Sequence, residues 1–307
     1  MAIGTATKAG AAATSRRGFL FAASSGVLMA SRRRLSRLSV EGYIWQQYAE
    51  RQGKPLKAIV DEALSMARQA GFQNVELNQA YFTPELQTEV LAALKANQLL
   101  MPSVYVGGVM HEPKEAAKTI ALAVEVSGIC RPFACNAVVH NPSPKPGGAE
   151  KTDEELKQQS DALNRMGRVL KAKGFQLRVH HHTPEMVSNA REWRYILKTT
   201  DPDFVWLCMD LDWVHQGGQD PLALLKEAGS RVAEVHVRNS KDKLWLESFE
   251  PGDIDYRAIA EYFDARHLDP LIVVELAYRK NTVVTRPLAE DLRVSRIYAE
   301  KVFHVKA

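Results

Sequence analysis

From about Leu38 onward, short runs of β-forming residues alternate with helical patterns, eight pairs in all, and no linker interrupts them. The β-type runs cover 40–44, 74–77, 99–106, 134–139, 176–182, 204–209, 232–237 and 271–276. Between them, residues 56–70 place Ile59, Ala63 and Met66 on one helical face and end at Gly71, and 113–126, 152–173, 221–228, 256–263 and 286–302 read as helices in the same way. Two further helices are expected where Thr83-Pro84-Glu85 and Thr183-Pro184-Glu185 supply a cap and a first-turn proline. Eight β/α pairs in about 270 residues is the size of one (β/α)8 barrel, which makes residues 38–307 a single α/β domain. A doubly wound open sheet is the competing arrangement, but no glycine-rich nucleotide loop follows the first run.

Four of the later runs end in side chains that bind metals: His180 and His182, Asp210, His236, and Glu275. Parallel strands of a barrel deliver their last side chains to one rim, so these residues are expected to converge there. Strand side chains alternate, which sends His180 and His182 the same way and His181 the other. A mixed nitrogen and oxygen set of this kind suits Mn²⁺, Zn²⁺, Fe²⁺ or Co²⁺. Arg238 follows His236 on the same face and reads as a clamp for an anionic oxygen or substrate hydroxyl, or as a rim salt bridge. Asp212 and His215 are placed to orient the ligands, and Asp255 to cap the helix that begins at Tyr256. Trp45, Tyr43, Glu76, Asn78 and His140 sit at the ends of strands one, two and four, where a substrate would be enclosed.

The first forty residues are of a different kind. They carry Lys8, Arg16, Arg17, Arg32, Arg33, Arg34 and Arg37 and no acid, around an apolar stretch at 19–30. Ser15-Arg16-Arg17-Gly18-Phe19-Leu20 reads as a twin-arginine export signal, with 1–37 as signal and basic linker and a cut expected after Ala30. The apolar run is too short to span a bilayer, which takes roughly 20 residues. The expected location is therefore periplasmic or exported, with the twin-arginine export machinery as a partner. Of the 40 basic and 36 acidic residues, seven basics precede Glu41, which leaves 33 against 36 afterwards. That balance speaks against a nucleic-acid surface. Cys130, Cys135 and Cys208 are an odd set in apolar runs and imply no disulfide framework. Folded export would let metal be loaded in the cytoplasm, and on that ground Mn²⁺ is favoured.

The stretch running through HHHTPE (180–185), CMDLDWVHQGG (208–218), VHVRNSKD (235–242), GDIDY (252–256) and VVEL (273–276) resembles the xylose-isomerase-like TIM barrels, the sugar phosphate isomerase/epimerase family. The resemblance covers roughly Leu38 to the C-terminus. It implies one divalent metal held by a carboxylate after strand five, an Asp after strand six, a His after strand seven and a Glu after strand eight. Asp210, His236 and Glu275 match the last three. Strand five departs from the pattern with an HxHxxE variant, so the fourth ligand is expected to be His182, with His180 as the alternative. The implied activity is proton abstraction next to the carbonyl of a keto-sugar, with Glu275 as base and Glu185 or His180 as the second acid/base. Many members carry a His where this chain has Trp213, which makes Trp213 a sugar-stacking wall or a packing residue. Elimination of an aglycone from a 3-keto-glycoside and a non-catalytic periplasmic sugar-binding barrel are the alternatives, and an endonuclease IV-type nuclease is disfavoured by charge and export. The expected ligand is a small sugar or glycoside; no oligomeric state is implied.

Overall fold

The computed structural model describes residues 36–306, so the twin-arginine pattern at 15–20 and the cut after Ala30 lie outside it. Eight parallel strands close into a barrel: β1 (Leu38–Glu41), β2 (Val75–Asn78), β3 (Ser103–Tyr105), β4 (Ala137–His140), β5 (Gln176–Val179), β6 (Val205–Asp210), β7 (Val232–Val237) and β10 (Leu271–Val274). Around the barrel the order is β1-β10-β7-β6-β5-β4-β3-β2. Helices α1 (Tyr43–Arg51), α2 (Val60–Gln69), α3 (Gln87–Ala96), α4 (Pro113–Cys130), α5 (Asp153–Ala172), α6 (Thr183–Thr199), α8 (Pro221–Ala228), α9 (Tyr256–Ala265) and α10 (Leu288–Phe303) alternate with the strands. The short α7 (Leu211–Gln216) follows β6, and an antiparallel hairpin of β8 (Ser240–Lys241) and β9 (Leu244–Trp245) follows β7. The expected (β/α)8 barrel is therefore the fold. Among the described residues no helix is long and apolar enough to cross a membrane.

Helix α5 shows how sequence becomes packing. Thr152 caps it by accepting the Glu155 N–H at 3.2 Å, while the Glu155 carboxylate takes the Thr152 N–H at 2.7 Å. Its Leu156, Leu163, Met166 and Leu170 are buried against the barrel. Gly167 allows a close approach to the loop before β6, since a Cβ there would run into the Phe204 carbonyl.

Strand parity sorts the barrel into two layers. Outward-facing Leu38, Val40, Val75, Leu77, Val138, Leu177, Val235, Val237, Ile272 and Val274 are buried beneath the helices. The inward positions are largely polar: Glu41, Glu76, Ser103, Arg178, His180, Asp210, Glu234, His236 and Glu275. Between β6 and β7 the register shifts: Leu207 faces Val232 but Cys208 faces Glu234, which leaves Ala233 over and sets Asp210 level with His236.

Several boundaries differ from the sequence expectation. The first strand stops at Glu41 instead of continuing to 44, because Tyr81 donates to the Gly42 carbonyl at 2.7 Å and residues 43–51 form α1, burying Ile44, Trp45 and Ala49. The fifth strand stops at Val179. His180 still bonds the His140 carbonyl at 2.8 Å, but the Glu185 carboxylate takes the His182 N–H at 2.8 Å and opens α6, so the cap is His182 and not Thr183. Thr83 does not cap α3 either; its carbonyl accepts from Leu86 and Gln87 in a turn that precedes that helix. All three cysteines are buried and free.

Gly167→Val forces a branched side chain against a fixed carbonyl and is expected to lower the unfolding free energy by about 1–3 kcal/mol. Urea unfolding checks this: the midpoint should fall at constant slope, and an unchanged midpoint would mean that α5 has room to move outward.

Candidate active site

At the C-terminal ends of β5, β6, β7 and β10, His180, Asp210, His236 and Glu275 bring one ligand atom each within 4.8 Å of one another. His236 Nδ1 lies 2.6 Å from Glu275 Oε2, and His180 Nε2 lies 3.7 Å from Asp210 Oδ2 and 3.9 Å from Glu275 Oε2. Burial, helped by the neighbouring His236 and His182, holds the His180 imidazole well below its ordinary value, so it is neutral. Its Nε2 is buried without a hydrogen bond, while Nδ1 sits 3.2 Å from Asn141 Oδ1 and 3.4 Å from the Tyr105 hydroxyl. Burial raises Asp210. Burial would also raise Glu275, but Arg238 and His236 outweigh it and hold that carboxyl well below the usual range. Two imidazoles and two carboxylates, one imidazole nitrogen free of partners, fit a divalent transition-metal ion.

Arg238 lies across this group and is itself buried. It donates to Glu275 Oε1 at 2.6 Å, Asp210 Oδ2 at 3.2 Å and Asp212 Oδ2 at 3.3 Å. The Trp213 and Trp245 rings cover the guanidinium at 4.8 and 4.6 Å from their centroids, and the Tyr256 hydroxyl donates to the Arg238 carbonyl at 2.6 Å. Asp210 also caps α7 through the Trp213 N–H, and Asp212 accepts from Ser240 at 2.7 Å. The loop after β10 is fastened to the hairpin side: Glu247 accepts from Thr285 and Arg286, and Arg279 donates to Gln216.

Beside the ligand group opens a cavity of about 420 Å³ lined by Glu41, Tyr43, Gln47, Asn78, Tyr105, His182, Trp213, Arg238, Trp245, Glu275, Ala277 and Tyr278. That size falls in the usual range of small-molecule sites. Of the expected substrate-facing residues, Tyr43, Asn78, Trp213 and Arg238 line it. His182 lines it too, edge-on to Trp213 at 5.2 Å between ring centroids, and burial pushes its imidazole down to about 4. The structure thus brings His180 into the ligand group and puts His182 on the cavity wall.

Other expected residues lie elsewhere. Trp45 is carried by α1 into the core. His140 pairs with Val179 in register and so faces the helices, its Nδ1 2.6 Å from the Val106 carbonyl. Glu76 is inward-facing but below the mouth, 3.0 Å from His236 Nε2. Glu185 holds the His182 N–H and is away from the cavity; burial, then Glu192, pushes its carboxyl up to about 7. His215 pairs with Asp253 at 3.4 Å on the outer rim, and Asp255 caps α9 through the Arg257 and Ala258 N–H groups.

Glu41, Tyr105, Gln47, Trp245 and Tyr278 were not expected at the site. Glu41 ends a short apolar run just as Glu275 does, and that signal was available. Its Oε2 accepts the Tyr43 N–H, and burial, then the charges of Glu275 and Glu76, pushes its carboxyl well above the usual range. Trp245 rides on a two-residue strand that leaves no periodic signal.

Residues 64–298 match a family model described as xylose isomerase-like TIM barrel. An inosose dehydratase of Clostridium perfringens is 27% identical over 167 residues, 48% of this chain and 56% of its own length. The chain thus spans about half the length of this curated relative. A sugar phosphate isomerase/epimerase from Parabacteroides distasonis superposes with a TM-score of 0.68 at 18% identity, over 90% of this chain and 98% of that one. The 3-keto-D-glucoside 4-epimerase of E. coli does so with a TM-score of 0.64 at 14% identity, over 87% and 100%.

Arg238→Met leaves Asp210, Asp212 and Glu275 without their shared cation. A loss of roughly 3–5 kcal/mol is expected by urea unfolding at neutral pH, and a midpoint equal to wild type would show that the guanidinium contributes nothing.

Glu185 gives a pH signature. A carboxyl raised in the folded chain stabilises fully below its unfolded value, and that stability is withdrawn as pH rises through the folded value near 7. Unfolding measured at pH 5 and pH 7.5 should show the wild type losing up to roughly 3 kcal/mol relative to Glu185→Gln across that window, because each tenfold change in proton affinity is worth about 1.4 kcal/mol. Parallel pH curves would count against it.

Proposed function

The chain belongs to the xylose isomerase-like TIM barrel family, and on that premise we propose that it is a divalent-metal-dependent enzyme of the sugar isomerase/epimerase type. The observation that carries the reading is the convergence of His180, Asp210, His236 and Glu275 at the edge of a cavity large enough for a sugar. Held by those four residues, a divalent ion would polarise a sugar carbonyl and acidify the neighbouring C–H.

The remaining chemistry belongs to the chain's own groups. Glu275, kept ionised by Arg238 and His236, is the base that removes the α-proton. Arg238 donates to the oxygen on which charge develops. Glu41, on the strand beside Glu275 and inside the same cavity, is a carboxyl held protonated by burial and is the group that returns a proton. His182, neutral and on the same wall, is the acceptor for a hydroxyl proton. Return of the proton to the neighbouring carbon isomerises the sugar, and return to the opposite face epimerises it.

A lyase is the second reading, in which a leaving group on the carbon next to the carbanion departs and takes its proton from Glu41. The inosose dehydratase relative favours it, as does histidine at the strand-five position where the family resemblance implies a carboxylate. The twin-arginine pattern supports a location outside the cytoplasm, hence an unphosphorylated sugar or glycoside, and Mn²⁺ as the loaded ion. Metal analysis of protein recovered from the periplasm should find one Mn²⁺ per chain; protein retained in the cytoplasm, or recovered without a stoichiometric ion, refutes this part.

Incubation of a panel of ketoses and 3-keto-glycosides in D₂O tests the chemistry. Metal-dependent deuterium incorporation next to the carbonyl is expected from the wild type, at least a hundredfold less from Glu275→Gln, on the scale of a lost general base (about 10²–10⁴). Binding without any exchange would leave a non-catalytic sugar-binding barrel.

A further inference from the structure

Below the ligand group, His236 is held from its other edge. Its Nε2 lies 3.0 Å from Glu76 Oε1 and 3.4 Å from Glu234 Oε1, and all three side chains are fully buried. Glu234 already has a full-strength partner, since Arg178 Nη1 donates to its Oε2 at 2.5 Å. The Ser103 hydroxyl links the two carboxylates, donating to Glu76 Oε2 and lying 3.2 Å from Glu234 Oε1. That leaves Glu76 Oε1 and His236 Nε2 as two buried polar atoms 3.0 Å apart, each without another hydrogen-bond partner.

To ligate a cation through one nitrogen, His236 must give up its second proton, and an imidazole in that state carries its proton on the other nitrogen only. With the proton on Nδ1, the Nε2 lone pair would face two buried carboxylate oxygens with no hydrogen between them, an arrangement disfavoured twice, by repulsion and by an unmet acceptor. With the proton on Nε2, Glu76 Oε1 has a donor 3.0 Å away, and the Nδ1 lone pair faces Glu275 Oε2 at 2.6 Å, a repulsion that a bound cation would relieve. We infer that Glu76 is a positioning residue of the metal centre: by accepting the Nε2–H of His236, it fixes the tautomer and ring orientation that present Nδ1 as a ligand. Ser103 and Arg178 hold the carboxylate pair in place from β3 and β5. Glu76 is thereby a group that acts through His236 and not a substrate contact. This inference rests on the metal-dependent reading of the site.

Titration of the full chain with MnCl₂ by isothermal calorimetry, wild type against Glu76→Gln, tests it. Orienting carboxylates behind a metal-bound histidine are worth about 10–100-fold in affinity, and a weakening of that size is expected with the thermal midpoint of the apo variant close to wild type. Equal affinities overturn the inference and leave the metal reading standing; a wild type that binds neither Mn²⁺ nor Zn²⁺ removes the metal reading itself. Should Glu76→Gln fail to fold, long-range ¹H–¹⁵N spectra of Zn²⁺-loaded wild type decide the matter. The proton is expected on His236 Nε2 and the ion on Nδ1, and the reverse assignment overturns the inference.

Discussion

The rim of this barrel depends on one guanidinium. Arg238 serves Asp210, Asp212 and Glu275 at once, at a largely buried place on the cavity wall. Three carboxylates without it would each face the several-kcal/mol cost of a buried unpaired charge. Because the arginine rises from the end of β7 and its partners end β6 and β10 or begin α7, the same contacts tie three neighbouring strand ends together. Trp213 and Trp245 cover its planar faces, and Tyr256 anchors its backbone from α9. A lysine could replace the charge but not the planar fork or the stacking.

Beneath the rim the barrel is filled in an unusual way. Interiors of this fold are commonly packed with branched apolar side chains, yet here Glu76, Ser103, Arg178 and Glu234 form a connected polar layer under His236. The hydrophobic stabilisation therefore resides between strands and helices, where the outward Val, Ile and Leu side chains are fully buried. The molecule separates the two tasks by parity along each strand: one face holds the fold together, the other holds charge.

Much of this was legible in the sequence because periodicity survives inspection one segment at a time. The eight alternations and the clustering of candidate ligands after the last four strands need only strand and helix periods. Parity is less durable, since it holds only while a strand lasts. His180 and His182 are equivalent by counting, but β5 ends at Val179 and the next turn is spent capping α6, so one histidine joins the ligand group and the other lines the cavity. His140 looks like a rim residue until the pairing with Val179 turns it to the helices. Glu41 was hidden by a first strand read as longer than it is. Trp245 and Tyr278 come from loops whose course depends on contacts far apart in sequence, such as Glu247 with Thr285, and no local pattern announces them.

The unpaired Ala233 in β7 gives the site a dependence on residue number as well as residue type. Counted straight across, Cys208 would face Ala233 and Asp210 would face Val235; the one surplus residue advances β7 by a step and brings the histidine abreast of the aspartate. A side chain's face in a strand changes with every residue. The inward Glu234, His236 and Arg238 thus share a single phase, set upstream of all three. Polar interior, ligand and clamp move in or out together, which makes a small neutral alanine the point at which the barrel's wiring is indexed.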